Sequence, residues 1–213
     1  MKNAFILALI TLLVSATTNG QELANLDFIS PFHEGFAAVK SGEQWGFIDS
    51  NGMLTVDFRD DLVIGADCPM NCCAGKMETN YPLFRNNRSM IKKVKDGIIH
   101  YGYINNKGEI IIEPKYINAT HFNEAGAIVH SVVKESLGRN EILGKNVVSY
   151  SYSEVVIDDQ GVIKAYLRGP FHLLYTKEEL RTPPKILSKF LSSTLIAINL
   201  DNTHWKIQPI DKN

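Results

Sequence analysis

The sequence predicts a mainly β protein: stacked antiparallel β-hairpin repeats forming a twisted array or incomplete barrel, with a small C-terminal α+β cap. One corner pattern occurs three times, as QWGFIDSNGML (Gln44 to Leu54), HYGYINNKGEI (His100 to Ile110) and SEVVIDDQGVI (Ser153 to Ile163). The run that leads into the first corner returns ahead of the third. From Arg168 onward the pattern stops and helix-start signals take over, as the end of a repeat array must differ from its middle.

The chain opens with Lys2 and an unbroken apolar run, AFILALITLLV (Ala4 to Val14), followed by the small and polar Ser15 to Gly20. That is the layout of a secretory signal peptide. A run of this length covers about half of the roughly 30 Å that a membrane-spanning helix must cross. Cleavage after Ala16 or after Gly20 satisfies the small-residue requirement, and Gly20 would leave Gln21 as the new N-terminus. The reading places the protein in a secreted, periplasmic or cell-surface location.

The expected organisation is a leader at 1–20, a repeat region at 21–167 and a cap at 168–213. Hairpins are expected near 36–58, 89–113 and 146–167, with a cysteine-containing insertion at 57–82. Lys2 is the one charge in the leader, so the remainder carries 21 basic and 23 acidic residues, a formal net charge of −2. That balance gives no support to binding nucleic acid or an anionic membrane through a basic footprint. No second apolar stretch is long enough to span a bilayer, and no transmembrane segment is expected in the mature chain.

Aligned on the last glycine, Ile48, Ile104 and Ile157 share a column; Asp49, Asn105 and Asp158 fill the next. Gly52, Gly108 and Gly161 follow three further on, and Leu54, Ile110 and Ile163 close the pattern. Asp or Asn at the first turn position can accept hydrogen bonds from amides two residues on. Glycine at the fourth tolerates the positive φ of a left-handed residue after a type I turn. The apolar flanks have strand spacing.

The lead-in runs share Phe, Glu two later, Ala five later and Val seven later: Phe32 to Val39, and Phe122 to Val129. The middle copy, Phe84 to Ile91, retains by sequence little beyond its first and last apolar positions. After Val129 the chain is expected to reach its hairpin through a long polar insertion, Lys134 to Lys145.

The first copy, Phe-x-Glu-Gly-x-Ala-x-Val followed by Trp45-Gly46-Phe47-Ile48-Asp49-x-x-Gly52, resembles the WG repeat family of secreted bacterial β-repeat proteins. The second places Tyr101-Gly102-Tyr103-Ile104 where the first has Trp-Gly-Phe-Ile, and the third loses the aromatic-glycine pair to Glu154-Val155. The resemblance covers roughly residues 28 to 165 and implies a β array without a mechanism.

Neighbours on a strand point to opposite faces. Trp45 and Tyr101 therefore take one face, while Gly46 and Gly102 leave a gap on the other for a neighbouring hairpin's backbone or ring. The two aromatics read as repeat-to-repeat packing, or else as stacking platforms for a sugar or peptide.

All three cysteines lie in one hexapeptide, Cys68, Cys72 and Cys73. In an exported chain they read as a disulfide pinning a loop, with Cys68 joined to Cys72 or Cys73 and one thiol left over. A strained bond between the adjacent Cys72 and Cys73 is disfavoured. The competing reading is a soft-metal site with Met70 and Met77, which lacks the second ligand pair that structural zinc sites use. The loop is the expected contact surface, because insertions in repeat arrays gather on one face.

In the cap, Thr176 with Glu179 three later is a capping-box signature. Thr182-Pro183-Pro184 is expected to open a second helix carrying Ile186, Leu187, Phe190 and Leu191 on one face. Thr194 to Leu200 and His204 to Gln208 read as a closing hairpin.

None of the six histidines stands at HExxH spacing, and no GxSxG elbow, phosphate loop or dinucleotide glycine run occurs. The functional expectation is an exported, non-catalytic module that binds or scaffolds a protein or cell-envelope glycan, without a cofactor. The alternative is an exported enzyme or metal-handling protein that uses the Cys68–Cys73 loop.

Overall fold

Each Asp/Asn-to-Gly corner folds by the same hydrogen bonds. In the computed structural model, which describes residues 23–64, 80–201 and 203–210, the Asp49 carboxylate accepts from the amides of Asn51 and Met53, both at 2.9 Å. Asn105 Oδ1 accepts from Lys107 and Glu109 at 3.0 Å each, and Asp158 Oδ1 from Gln160 at 3.0 Å and Val162 at 2.9 Å. The glycine amide closes each turn on the carbonyl of the Asp or Asn, at 3.0, 3.0 and 2.9 Å. Gly52, Gly108 and Gly161 have φ of 76°, 79° and 80°, which an L side chain rarely adopts.

The repeating unit is a three-stranded antiparallel meander, one strand more than a hairpin. The first comprises β1 (Phe28–Ile29), β2 (Phe36–Ser41), β3 (Gln44–Asp49) and β4 (Leu54–Arg59), with the short β1 added at its edge. The second is β5 (Ser89–Lys95), β6 (Ile98–Ile104) and β7 (Ile110–Tyr116); the third is β8 (Ala127–Asn140), β9 (Lys145–Ile157) and β10 (Ile163–His172). A terminal sheet joins β11 (Lys189–Phe190), β12 (Leu195–Asn199) and β13 (Trp205–Pro209). These are four separate antiparallel sheets, and none closes into a barrel among the described residues.

Register is the same in all three meanders. Ala37, Ser89 and Ala127 lie opposite Ile48, Ile104 and Ile157, while Val39, Ile91 and Val129 lie opposite Gly46, Gly102 and Val155. The entry turn is shared too, although by sequence the middle copy retains little beyond its first and last apolar positions. His33 and Phe36, Arg85 and Arg88, and Asn123 and Gly126 exchange paired backbone hydrogen bonds of 2.8–3.1 Å. Glu34-Gly35 and Asn86-Asn87 both take positive φ. Asparagine tolerates that region nearly as glycine does, so the geometry survives while the letters change.

The meanders stack front to rear. Front-facing Ala38, Phe47 and Val56 of the first pack on Phe84, Ile91 and Ile104 of the second. Met90, Tyr103 and Ile112 of the second then pack on Phe122, Val129 and Ile157 of the third. Ile128, Val156 and the half-buried Ala165, the same columns in the third, pack on Ile186, Ile196, Ile198 and Ile210 of the terminal segment. That segment fills the place a fourth repeat would take, as an array end requires.

Gly46 and Gly102 serve a closer neighbour than the adjacent hairpin expected from sequence. A Cβ at Gly46 would stand 2.8 Å from the Val56 carbonyl oxygen, and one at Gly102 would stand 2.4 Å from that of Ile112. The glycines admit the next strand of their own meander, where pairing slips between Trp45 and Phe47 and between Tyr101 and Tyr103.

Two further expectations change. The polar segment 134–145 is not a loop ahead of the hairpin. It continues β8 and returns through a tip into β9, so that the third meander extends as a two-stranded ribbon.

The expected helices do not form either. The Glu179 amide donates to Thr176 Oγ1 at 3.3 Å, but the product is one 3-10 turn, Glu179–Arg181, whose N-cap is Glu178 and not Thr176. Thr182 is extended (φ −123°, ψ 91°), the conformation that a following proline imposes. Beyond it, Asn118 Nδ2 donates to the Pro184 carbonyl at 2.7 Å, and Glu154 takes the amides of Leu187 and Ser188. Tertiary partners have captured the backbone groups a helix would have used.

Alanine at either strand glycine is expected to destabilise by about 1–3 kcal/mol. Gly102→Ala should cost more than Gly46→Ala, because backbone of Ile112, Glu113 and Pro114 crowds it within 2.8 Å. Urea unfolding midpoints of the two variants check the order.

Candidate functional site

Among the described residues no repeat precedes the first meander; Ala37 and Val39 at the centre of its rear face are fully buried, but residues at the rim of that face behave differently from their equivalents. Phe32, Phe84 and Phe122 begin the three entry turns. Phe84 is 1% exposed and Phe122 is 3% exposed, each inserted against the meander before it, whereas Phe32 is 54% exposed. Ile29, Leu62 and Ala119 each pair with the Val39, Ile91 or Val129 column. Leu62 and Ala119 are buried, at 3% and 0%, and Ile29 is 57% exposed. Ile48 is half-buried where Ile104 and Ile157 are fully buried.

The corners show the same asymmetry. A Cβ built on Gly108 would lie 3.3 Å from Val56 Cγ1, and one on Gly161 would lie 3.3 Å from Ile112 Cγ1. At Gly52 such an atom meets nothing within 4 Å. In the two stacked corners a side chain also clasps the glycine carbonyl. Arg59 Nη1 donates to Gly108 O at 3.0 Å, and the Tyr116 hydroxyl to Gly161 O at 3.4 Å. Arg59 and Tyr116 hold the same ladder position, opposite Trp45 and Tyr101. Arg59 is itself held by Asp61, Nη2 to Oδ2 at 2.8 Å.

The far end is closed by chemistry. Lys40 lies opposite Trp45 with its ammonium 5.9 Å from the indole centroid, and Lys92 lies opposite Tyr101. The third meander puts His130 opposite Glu154 in that column, both buried, with His130 Nε2 3.2 Å from Glu154 Oε2. Glu154 accepts in addition from the Leu187 amide at 3.0 Å and the Ser188 amide at 2.9 Å. Burial pushes a carboxyl pKa up, but the hydrogen bonds from His130, Ser188 and Leu187 outweigh it and hold Glu154 below its ordinary value. Where the earlier repeats offer an aromatic ring to a neighbouring repeat, this one offers a carboxylate to the backbone of the terminal segment.

A cleft of about 350 Å³ lies between the entry turns of the second and third meanders, the third corner and the terminal segment. Its polar groups already brace these turns. Asn86 Nδ2 donates to Asn123 O at 3.0 Å, Arg88 Nη2 reaches Asp159 O at 3.2 Å, and Asp158 Oδ1 holds its own corner. The exposed Ile29 and Phe32 at the rim of the rear face are therefore the better candidate for recognition.

The residues singled out from sequence divide cleanly. Trp45 and Tyr101 are buried, with Trp45 edge-on to Phe28 at 5.7 Å between centroids, so neither presents a free ring face. Ile104, Ile157, Gly108 and Gly161 lie at repeat junctions, while Asp49, Asn105 and Asp158 build the corners. Cys68, Cys72 and Cys73, with Met70 and Met77, lie outside the described residues, as does the leader. Several histidines act as struts: His33 Nδ1 lies 3.0 Å from Phe84 O, and His100 Nε2 lies 2.6 Å from the Tyr175 hydroxyl.

Sequence reasoning passed over Arg59 and Tyr116, which differ in type and are offset by the bulge. It also passed over Ser30 and Thr120, whose hydroxyls accept from Ala38 and Ile128 amides at 2.8 and 3.0 Å. A hydroxyl two residues before Phe32 and before Phe122 was the available signal; Phe84 has Pro82 there.

Glu154 binds its proton less readily in the folded protein than in the unfolded chain. Its stabilising effect is therefore complete above about pH 4.3, the unfolded value, and is lost as pH falls through the lower folded one. Glu154→Gln is expected to cost about 3 kcal/mol at neutral pH, leaving buried partners mismatched. Paired urea titrations should show that deficit constant from about pH 7 to about pH 5 and shrinking below about pH 4.

The family model described as WG containing repeat matches residues 23–44 and 101–129. No curated protein and no solved structure matches the chain. The first matched segment holds β1, β2 and the entry turn of the first meander; the second runs from β6 through the entry turn of the third. Shared corners, register and stacking agree with that match, and the two matched segments are similar to the WG containing repeat.

Proposed function

We propose that this protein is an exported, non-catalytic binding module that holds a protein partner against Ile29 and Phe32, at the rim of the rear face of its first repeat. One observation carries the reading. Ile29 and Phe32 remain exposed at positions whose equivalents in the next two repeats are buried by a neighbouring β surface. A lone exposed apolar residue is ordinary. Here the same fold supplies two internal comparisons in which the same face is covered. Fully burying a Phe side chain stabilises by about 1.5–3 kcal/mol, so a partner that covers this face gains from it.

The apolar character of the face favours protein over glycan among the two partner classes expected from sequence. Export rests on the leader, Lys2 with Ala4 to Val14 and the small residues after it. No helix of the described residues is long and apolar enough to cross a membrane.

Charged substitutions test the reading. Ile29→Asp with Phe32→Asp is expected to fold with stability within about 0.5 kcal/mol of the parent, as exposed sites allow. The same change at the buried Phe84 should prevent folding. Mature protein carrying the double substitution, used as bait on envelope fractions, should lose at least about tenfold of its specific capture, the equivalent of about 1.4 kcal/mol. Unchanged capture by the folded double variant would sink the proposal.

A further inference from the structure

We infer that the tip of the third meander's extended ribbon is a membrane-docking element, which seats Ile142 and Leu143 in the surface of an anionic lipid bilayer. This surface is separate from the Ile29 and Phe32 contact and belongs to a different repeat.

The first two meanders turn back early, between Ser41 and Gln44 through Gly42-Glu43, and between Lys95 and Ile98 through Asp96-Gly97. In the third, β8 and β9 stay paired as far as Asn140 and Lys145. At about 3.3 Å per residue, the rungs beyond Val133 carry the ribbon about 20 Å past the register at which the second hairpin has turned. Its tip holds Ile142, 95% exposed, and Leu143, 68% exposed. The tip has a defined turn, in which Asn140 Oδ1 accepts from the Leu143 amide at 2.9 Å and Gly144 takes a φ of 62°. Two aliphatic side chains are thereby held in solvent at the far end of the ribbon.

The apolar surface continues behind the tip. Val147 and Val148 are neighbours on β9 and so point to opposite faces, and both are exposed. A protein surface laid against the ribbon covers one face, whereas a medium that closes around the tip covers both. Charge selects the kind of bilayer. Arg139 and Lys145, on the last two rungs, stand against Glu141, which leaves one positive charge in excess; Lys134 and Glu135 further back cancel. Long basic side chains lie along apolar groups and carry their charge to the phosphate level, where anionic lipids attract them.

The backbone sets the depth. A two-stranded ribbon has open edges, and unpaired N–H and C=O groups are excluded from hydrocarbon. The strands therefore stay at headgroup level, and only the tip side chains pass beyond it. The near-balanced charge of the whole chain is compatible with this contact, which depends on two aliphatic residues and a local pair of cations.

Vesicle binding by the mature protein tests the assignment. It is expected to co-sediment with vesicles of phosphatidylglycerol and phosphatidylcholine, and less with vesicles of phosphatidylcholine alone. Ile142→Asp with Leu143→Asp should lower partition onto the mixed vesicles at least about tenfold, with folding kept because both sites are exposed. Arg139→Gln with Lys145→Gln should lower it about tenfold on the mixed vesicles and leave phosphatidylcholine binding unchanged. Ile29→Asp with Phe32→Asp should bind vesicles as the parent does.

Absence of parent binding to either vesicle, or equal binding by the tip double-aspartate variant, overturns the inference. Loss of protein capture by that variant, without vesicle binding by the parent, assigns the tip to a protein partner and overturns it as well. The Ile29 and Phe32 reading stands or falls separately, on capture by its own double variant.

Discussion

The constraint on which the rest of this structure depends is the close approach at the corner glycine. An Asp or Asn side chain satisfies two amides of the turn, the glycine takes positive φ, and the bare Cα then rests on an aliphatic side chain of the preceding repeat. A side chain at Gly108 or Gly161 would be strained by its φ and would press on Val56 or Ile112. One residue thus meets a local and a tertiary requirement together. The local requirement holds in all three copies, Gly52 included, whereas the tertiary contact is made at Gly108 and Gly161.

Stacking so arranged is directional, and direction makes the two ends of the array unlike. Each meander presents a front column, represented by Phe47, Tyr103 and Val156, and a rear column, represented by Val39, Ile91 and Val129. Among the described residues no repeat stands behind the first meander, where Val39 is buried while Ile29 and Phe32 are exposed. The front of the third meander is closed by the terminal segment, with the His130–Glu154 pair occupying the place of a cation and an aromatic ring. A buried carboxylate is costly unless its lone pairs are satisfied, and Glu154 is satisfied by three donors, two of them backbone amides of the cover. The exchange of an aromatic for a carboxylate therefore turns a surface that would accept a repeat into one that fastens irregular chain.

Much of this was legible from local patterns. Asp49, Asn105, Asp158 and their glycines disclosed the corners because turn chemistry depends on residues within four positions of one another. The closing hairpin of the cap was legible for the same reason, in the apolar run of Leu195 to Asn199 and the turn after it. The middle entry turn was hidden because Asn86-Asn87 reaches the dihedrals of Glu34-Gly35 with different letters. The absent helices after Thr176 and Pro184 were not legible, since the groups that divert those backbones, Asn118 and Glu154, are distant in sequence. The rear-face asymmetry was invisible for a further reason: Phe32 and Phe122 are the same residue in the same motif, and only a neighbour distinguishes them.

By itself the sequence determined the corner, the strand periodicity and the likeness of its repeats to the WG containing repeat, all of which rest on patterns a few residues long. Tertiary structure alone decided which strand the WG-type glycines admit, which backbone groups Glu154 holds, and which of three equivalent phenylalanines faces solvent. Those outcomes depend on contacts between chain segments tens of residues apart, and burial is a property of what stands on the other side.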